Sequence, residues 1–253
     1  MPAIRDGGRA CAVPARRAPS VPGGGPGRHR GQGAVPGVFA DRRDAGRRLA
    51  AELARHLDPR SGPPVVEGMA RGGVPVAAEV ALALGGPLDV VVVRKLGHPG
   101  QPELGLGAIA EEGVRIVNAV LVQRLEVPDE VLDAVAEREG AELVRRLGRY
   151  RGGRPPVPVE DRVAVVVDDG LATGFTARAA IEVMRRRHAA TVVLAVPVGP
   201  PGAVAALREV ADDVVCPVVS ERFAGISEWY GDFHQVGDDE VAAALAAGRD
   251  GPG

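Results

Sequence analysis

The chain has 253 residues and a formal net charge of −2 at pH 7, without the basic surplus that nucleic-acid binding requires. Apolar residues make up 45% and aromatic residues 3%, which predicts an interior of Val, Ala and Leu, as in a parallel sheet covered by helices. The two cysteines, Cys11 and Cys216, are far apart and indicate neither a disulfide framework nor a zinc site, so we expect a cytoplasmic protein. Because no apolar run reaches the length of a membrane span, we expect no membrane partner, and the charge balance argues against a nucleic-acid partner.

The composition of the N-terminal stretch differs from that of the rest of the chain. Residues 1–37 are rich in Pro, Gly and Arg and have almost no periodic apolar pattern. Such a segment buries too little apolar surface to offset the entropy lost on ordering. We therefore expect a disordered extension at 1–37 and one folded domain over 38–248.

The first half of the folded region reads as helices and strands interrupted by one long loop. In chain order the predicted elements are a helix over 39–57, a strand over 64–67, a loop over 68–73, a helix over 74–84 closed by Gly85 and Gly86, and a buried strand over 88–94. The next stretch, 96–112, contains too many Gly and Pro residues for a regular element, so we expect a long loop there.

The second half alternates between strands and helices. The predicted elements are a hairpin of 113–117 and 119–123 that turns near Asn118, a charged helix over 128–150, strands over 162–168, 191–198 and 214–218, and helices over 176–187, 201–210 and 239–247. Strands separated by helices of this length predict βαβ crossovers and therefore a parallel sheet.

The segment Val163–Thr176 is the most informative in the chain, because a buried strand leads through a Gly/Thr loop into a helix. Ligands of open α/β sheets lie beyond the carboxyl ends of the strands, where this loop falls. Gly170 and Gly174 permit backbone conformations that direct N–H groups inward, and the hydroxyls of Thr173 and Thr176 add donors. The loop therefore predicts a site for a phosphate group.

Two carboxylates, Asp168 and Asp169, stand between the strand and this loop. Ionised carboxylates only accept hydrogen bonds, and a vicinal diol offers two donors, so a ribose 5-phosphate fits both features together. A P-loop and a dinucleotide fingerprint fit less well, because the loop has neither the lysine nor the third glycine that they require. The simpler alternative is an acidic strand end followed by a Thr/Gly helix cap.

The segment Val165–Thr176 resembles the signature of the type I phosphoribosyltransferases. More narrowly, four further segments look like those of a bacterial group of predicted phosphoribosyltransferases whose substrate is not settled: Met69–Ala77, Arg94–Gly97, Pro102–Ala108 and Trp229–Phe233. The resemblance covers roughly residues 39–241. It implies an α/β fold with an open, mainly parallel twisted sheet flanked by helices, a flexible lid and a small hood.

The resemblance implies roles for particular residues. The 5-phosphate would be held by Ala172, Thr173, Gly174, Phe175 and Thr176, and the ribose hydroxyls by Asp168 and Asp169. The family's diphosphate loop, often containing a cis peptide, corresponds to Arg71, Gly72 and Gly73, with added positive charge from Arg94 and Lys95. The catalytic set would be Asp168, Asp169, Arg71 and Lys95. The alternatives are glycines that only shape a turn and cations that only form a solvated strand end.

The lid and the hood are less well defined. Residues 96–112 fall at the position of the family's mobile lid, but no Lys or Arg occurs there before Arg115, so whether closure brings a cation to the diphosphate is open. Within the lid, His98 is either a base or a surface residue without a role. Trp229 and Tyr230 would stack on the acceptor as part of the hood, and core packing is the alternative.

The resemblance implies the use of 5-phosphoribosyl 1-diphosphate (PRPP) as a small-molecule substrate. Its phosphoribosyl group would pass to a nitrogenous acceptor, with release of diphosphate. Mg²⁺ would be carried by the substrate, because no cluster of protein metal ligands occurs. A homodimer, with Arg94 and Lys95 acting across its interface, is one arrangement that it allows. Two other functions stay open: a PRPP sensor without turnover, and a hydrolase of a nucleotide-like phosphate.

Overall fold

The computed structural model describes residues 39–248, and the extension expected at 1–37 lies outside the described residues. In chain order the elements are α1 (Arg42–His56), β1 (Val65–Met69), α2 (Gly73–Leu84), β2 (Leu88–Val91), β3 (Val93–His98), β4 (Gln101–Ala110), β5 (Arg115–Val117), α3 (Ala119–Arg124), α4 (Asp129–Arg151), β6 (Val163–Val167), α5 (Phe175–Arg186), β7 (Thr191–Ala195), β8 (Val198–Gly199), α6 (Pro201–Leu207), β9 (Asp213–Val215), β10 (Val218–Val219) and α7 (Asp238–Gly248). Short 3₁₀ helices occupy Pro59–Ser61 and Ile226–Trp229.

The central sheet has five parallel strands in the order β2-β1-β6-β7-β9, which confirms the predicted α/β fold. Its Val-rich strands are buried on both faces, as expected for a parallel sheet between helices. On β1, Val66 faces the core under α1 and α2, whereas Val65 and Met69 face α5. Because Gly68 pairs with Val167, the loops that follow β1 and β6 lie side by side at one edge of the sheet.

The prediction of a long irregular loop at 96–112 is wrong. This stretch forms most of an antiparallel sheet in the order β3-β4-β5, with Lys95 opposite Ala108. The glycines that read as breakers instead allow strands to approach closely. A Cβ on Gly107 would lie 2.1 Å from the carbonyl oxygen of Ile116, and one on Gly97 would lie 2.5 Å from that of Pro102.

The predicted hairpin strand at 119–123 is also wrong, because these residues belong to helix α3. Asn118 is the N-cap of this helix, and its side chain accepts a hydrogen bond from the Leu121 amide at 3.1 Å. Asparagine suits both turns and helix caps, so the residue alone did not distinguish them.

Several predicted boundaries move. The strand expected over 88–94 divides at Val92, whose amide donates to the Glu111 carboxylate at 2.9 Å, so that β2 joins the parallel sheet and β3 the antiparallel one. The strands expected over 191–198 and 214–218 divide similarly, and their ends, β8 and β10, pair with each other. Strand β1 continues to Met69, which shortens the expected loop to 70–72.

Buried charges join the two sheets to the ends of α4 and α5. The carboxylate of Glu111 receives hydrogen bonds from Arg151 at 2.5 Å and from Arg187 at 2.6 Å, and Asp89 accepts from Arg151 at 3.4 Å. Glu67 is completely buried beside them, and neither of its carboxylate oxygens has a hydrogen-bond partner among the described residues. The nearest guanidinium nitrogen, on Arg187, is 3.8 Å away.

Among the described residues, no helix is both long enough and apolar enough to cross a bilayer.

Candidate functional site

The loop between β6 and α5 is built as the sequence predicts. Gly174 has a φ of +83°, a left-handed conformation that glycine adopts without strain, and it serves as the N-cap of α5. No side-chain hydrogen bond caps this helix. The first amide groups of α5 therefore have no side chain as hydrogen-bond acceptor. Such free donors at a helix start suit a bound anion.

A cavity of about 500 Å³ lies over this loop, at the carboxyl edge of the parallel strands. Six of the predicted site residues line it: Asp168, Ala172, Thr173, Thr176, Arg94 and Lys95. Gly174 and Phe175 belong to the loop but are not among the lining residues. The structure thus brings the predicted phosphate loop and the β3 cations to one cavity.

Asp168 is the carboxylate on this cavity. Its Oδ1 accepts a hydrogen bond from the Asp169 amide at 2.9 Å. Burial raises the pKa of Asp168 well above its usual value, the Asp169 carboxylate raises it further, and the positive charges of Arg42 and Lys95 oppose this shift. Lys95 is thus one of the charges that favour the ionised form of Asp168, and both residues line the cavity.

Asp169 does not line this cavity. Its Oδ2 accepts a hydrogen bond from Nε of Arg42 at 2.9 Å, while Nη1 of Arg42 donates to the His234 carbonyl at 2.8 Å. The Arg42 guanidinium also stands 3.8 Å from the centre of the Phe233 ring. Burial raises the pKa of Asp169, and Arg42 opposes the rise. Sequence reasoning missed Arg42, since nothing in α1 distinguishes it from the neighbouring arginines.

The predicted diphosphate loop lies against Asp169. A Cβ on Gly72 would stand 2.1 Å from Oδ2 of Asp169, and one on Gly73 would stand 2.5 Å from the Val167 carbonyl oxygen. Both glycines are therefore required by close approach of the loops after β1 and β6. The peptide bond between Ala70 and Arg71 is cis. Arg71 and Gly72 line a second cavity of about 320 Å³, together with Arg42, Asp169 and Phe233.

The two predicted acceptor residues, Trp229 and Tyr230, are not lining residues of the main cavity. Tyr230 is buried, donates a hydrogen bond to the Asp169 carbonyl at 2.5 Å and packs its ring 5.4 Å from that of Phe39. The Trp229 ring stacks on Phe223 with centroids 6.4 Å apart. The segment 226–230 thus packs on the start of the described chain. Within this segment, Ile226 is the residue that lines the main cavity.

The turn between β3 and β4 forms another wall of the main cavity. His98, Pro99 and Pro102 line it, which places the predicted lid segment at the cavity although it is a hairpin. Nδ1 of His98 accepts a hydrogen bond from the Gly100 amide at 3.2 Å.

Sequence reasoning also missed two residues of α4, Arg138 and Glu139, which line the main cavity. Oε2 of Glu139 accepts from Nη2 of Arg94 at 2.6 Å, and its Oε1 accepts from Nη2 of Arg138 at 3.1 Å. The sequence marked α4 as a charged helix, but no signal indicated which turn faces a cavity.

The residues present fit a magnesium ion carried by its ligand. Among residues 39–248 no group of three or more His, Cys, Asp or Glu side chains has the arrangement of a protein metal cage. Asp168 is a carboxylate on the cavity beside the phosphate loop. This donor set suits a hydrated ion that would be held mainly by the phosphate oxygens of its ligand and by water.

Fold and site together define an α/β protein with a glycine-threonine loop and a cation-lined cavity beyond the carboxyl ends of a parallel sheet. The family model described as the phosphoribosyl transferase domain matches residues 40–230. The chain belongs to this family, and the predicted membership is confirmed.

Relatives support the family assignment. A Mycobacterium tuberculosis (strain H37Rv) protein named "Putative phosphoribosyl transferase" is 50% identical over 209 residues, covering 82% of this chain and 46% of its own length. The chain therefore spans about half the length of the curated relatives that it matches. The crystal structure of TT1426 from Thermus thermophilus is 43% identical, with a TM-score of 0.69, and the match covers 83% of this chain and 98% of TT1426.

Proposed function

We propose that this chain binds PRPP with Mg²⁺ and transfers the phosphoribosyl group to a nitrogenous acceptor, releasing diphosphate. One observation carries the proposal: the phosphate loop, the Asp168 carboxylate and the Lys95 ammonium group line a single cavity of about 500 Å³. Cavities of a few hundred Å³ suit small-molecule ligands of this size.

The 5-phosphate binds at the start of α5. Thr173 and Thr176 line the cavity there and offer hydroxyl donors, and the uncapped amides of the helix start supply further donors. Ala172, Gly174 and Phe175 contribute the backbone of this loop. A dianionic phosphate is favoured by these donors and by the positive end of the helix dipole.

The sugar and the leaving group lie next to Asp168 and Lys95. Positive charge builds on the ribose ring as the bond to diphosphate breaks, and the Asp168 carboxylate stabilises it in the ionised state. The raised pKa of Asp168 means that cationic partners are needed to keep it ionised, and Lys95 is one of them. Lys95 also attracts the diphosphate, and Mg²⁺, when bound, stabilises the negative charge that develops there.

The loop of Arg71, Gly72 and Gly73 and the residue Asp169 complete the proposed site. Arg71, Gly72 and Asp169 line the second cavity, whereas Ala70 and Asp168, their neighbours in the sequence, line the main one. In this proposal the loop binds the diphosphate end of the ligand. A cytoplasmic location and a homodimer remain predictions.

The test is a release assay with the purified chain, Mg²⁺, PRPP and a panel of purine, pyrimidine and non-base acceptors. We expect diphosphate release that depends on both PRPP and one acceptor. Release without an acceptor would support the hydrolase instead, and tight PRPP binding with no release under any condition would support the sensor. Failure of PRPP to raise the melting temperature of the protein would contradict both the transferase and the sensor.

A further inference from the structure

Helix α4 contributes a charged wall to the main cavity, which we call the α4 wall and define as Arg94, Arg138 and Glu139. Glu139 is the centre of the α4 wall, since its two oxygens accept from Arg94 at 2.6 Å and from Arg138 at 3.1 Å. All three residues line the cavity. The Glu139 side chain is only 14% exposed, so this carboxylate is held in one place and fixes both guanidinium groups.

The α4 wall and the phosphate loop occupy different sides of the cavity. Successive residues of a strand point to opposite faces. On β3, Val93 packs in the core that contains α5, and Leu96 packs in the core that contains α4. Lys95 therefore lies on the side of α5 and Asp168, whereas Arg94 lies on the side of α4, where Glu139 binds it. Lys95 therefore shares its side of the cavity with the proposed PRPP site, and the α4 wall faces the other side.

The charge of the α4 wall selects an anion. Two guanidinium groups and one carboxylate leave one net positive charge, which matches one singly charged group. Arginine presents donors in a planar fork that fits a carboxylate with two parallel hydrogen bonds. Arg138 lines the cavity and its side chain is 66% exposed, so it has donors beyond those that face Glu139.

We propose that the acceptor is a nitrogenous compound that carries a carboxylate, and that Arg138 and Arg94 of the α4 wall bind this carboxylate opposite the phosphate loop. The inference rests on the proposed function and adds the class of acceptor to it. Residues 96–112 of the lid segment contain no Lys or Arg. In this inference the arginines of the α4 wall supply positive charge on that side of the cavity.

The experiment uses pairs of probes that differ in the carboxylate: orotate with uracil, nicotinate with nicotinamide, and anthranilate with aniline. Diphosphate release from PRPP and Mg²⁺ is followed with each probe. We expect turnover with a carboxylate-bearing probe and at least about tenfold lower kcat/KM with its neutral partner, because the charge-assisted hydrogen bonds to the carboxylate are lost. Equal use of both members of each pair, or use of neutral members alone, overturns the inference, as does absence of turnover with every carboxylate probe.

The variant Arg138→Gln separates acceptor recognition from PRPP binding. We expect it to raise the KM for the carboxylate probe about tenfold, with Arg138→Lys in between, while the dissociation constant for PRPP measured without acceptor stays the same. Arg55→Gln is the matched control, since Arg55 is 73% exposed, pairs with Glu52 at 2.6 Å in the same manner and lies on α1. An equal loss of PRPP affinity in Arg138→Gln would assign the α4 wall to PRPP and overturn the inference. Absence of PRPP binding to the unmodified protein would instead refute the proposed function itself.

Discussion

Asp168 and Asp169 are adjacent in the sequence but have different surroundings in the fold. Asp168 lines the main cavity, and Asp169 is held by Arg42, which precedes it by 127 residues. The sequence predicted an acidic pair at the end of a strand, and it predicted the phosphate loop next to it. It could not predict the separation of the pair, because that depends on a side chain from a distant helix whose sequence has arginines on several faces.

Thr173 provides the most direct test of the phosphate loop. Thr173→Val keeps the branched shape and removes the hydroxyl, so we expect the dissociation constant for PRPP with Mg²⁺ to rise about tenfold. Isothermal titration calorimetry measures this change. Thr191→Val is the control, because Thr191 begins β7 at the opposite end of the sheet. Unchanged affinity in Thr173→Val would remove Thr173 from the proposed site.

Glu67 should make stability depend on pH. Burial, with the nearby charge of Asp89, raises its pKa from 4.5 to about 8, while Arg187 and Arg151 oppose the shift. The folded state therefore holds a proton that the unfolded chain releases. Its contribution to stability is complete below pH 4.5, declines as the pH rises and is lost above about 8.

Glu67→Gln should remove this dependence, since the amide has nearly the same shape and no charge. We expect the free energy of unfolding in urea to fall less between pH 5.5 and pH 8 than it does in the unmodified protein. A variant with the same slope over that interval would show that Glu67 is already ionised in the folded protein.

At the scale of elements, local sequence patterns predicted the regular helices and strands. The elements that were predicted wrongly depend on contacts between strands. The helices at α1, α2, α4 and α5 were predicted to within a few residues, since each has an apolar face and clear ends. The β3-β4 hairpin was missed because its glycines are needed by close packing against neighbouring strands, and single-sequence patterns read them as breakers.

Two glycines of β4 test this explanation. A Cβ on Gly107 would lie 2.1 Å from the Ile116 carbonyl oxygen, whereas nothing lies within 4 Å of one on Gly105. We expect Gly107→Ala to lower the free energy of unfolding by about 2 kcal/mol. Gly105→Ala, measured in the same urea titrations, should stay within about 0.5 kcal/mol of the unmodified protein. Similar losses in both variants would contradict the steric account.

Arg42 tests how α1 is tied to the site. Arg42→Met leaves the buried Asp169 carboxylate without its ion-pair partner, so we expect a loss of about 3 kcal/mol in the free energy of unfolding. Arg43→Met changes an arginine whose side chain is 75% exposed and should have little effect. Adding Asp169→Asn to Arg42→Met should recover part of the loss, and no recovery would show that packing rather than charge causes it.

At the scale of the whole molecule, the start of the described chain and its C-terminal part meet beside the site. The Phe39 amide donates to the Trp229 carbonyl at 2.9 Å, and the Gly231 amide donates to the Phe39 carbonyl at 2.8 Å. Phe39 is 2% exposed. Phe39 is therefore anchored to the C-terminal part of the described residues, and the domain boundary at residue 38 stays a prediction.

Two truncations test this boundary. Removal of residues 1–37 should leave the melting temperature and PRPP binding unchanged, since Phe39 and its contacts stay. Removal of residues 1–40 also deletes the Phe39 ring, which packs 5.4 Å from Tyr230, and should lower the free energy of unfolding by about 3 kcal/mol. If the shorter truncation is equally destabilising, the domain includes part of 1–37.

The sequence by itself determined the parallel α/β fold, the glycine-threonine loop that leads into α5 and the membership of a family. These features depend on local order: alternating strands and helices, and a strand, loop and helix in succession. Tertiary structure decided what surrounds that loop. Three features join residues that are far apart in the chain. They are the β3-β4 turn that lines the cavity, the pairing of Asp169 with Arg42, and the position of Arg138 and Glu139 at the cavity. Such contacts are set by how sheets and helices pack, and a single sequence carries no pattern that reports them.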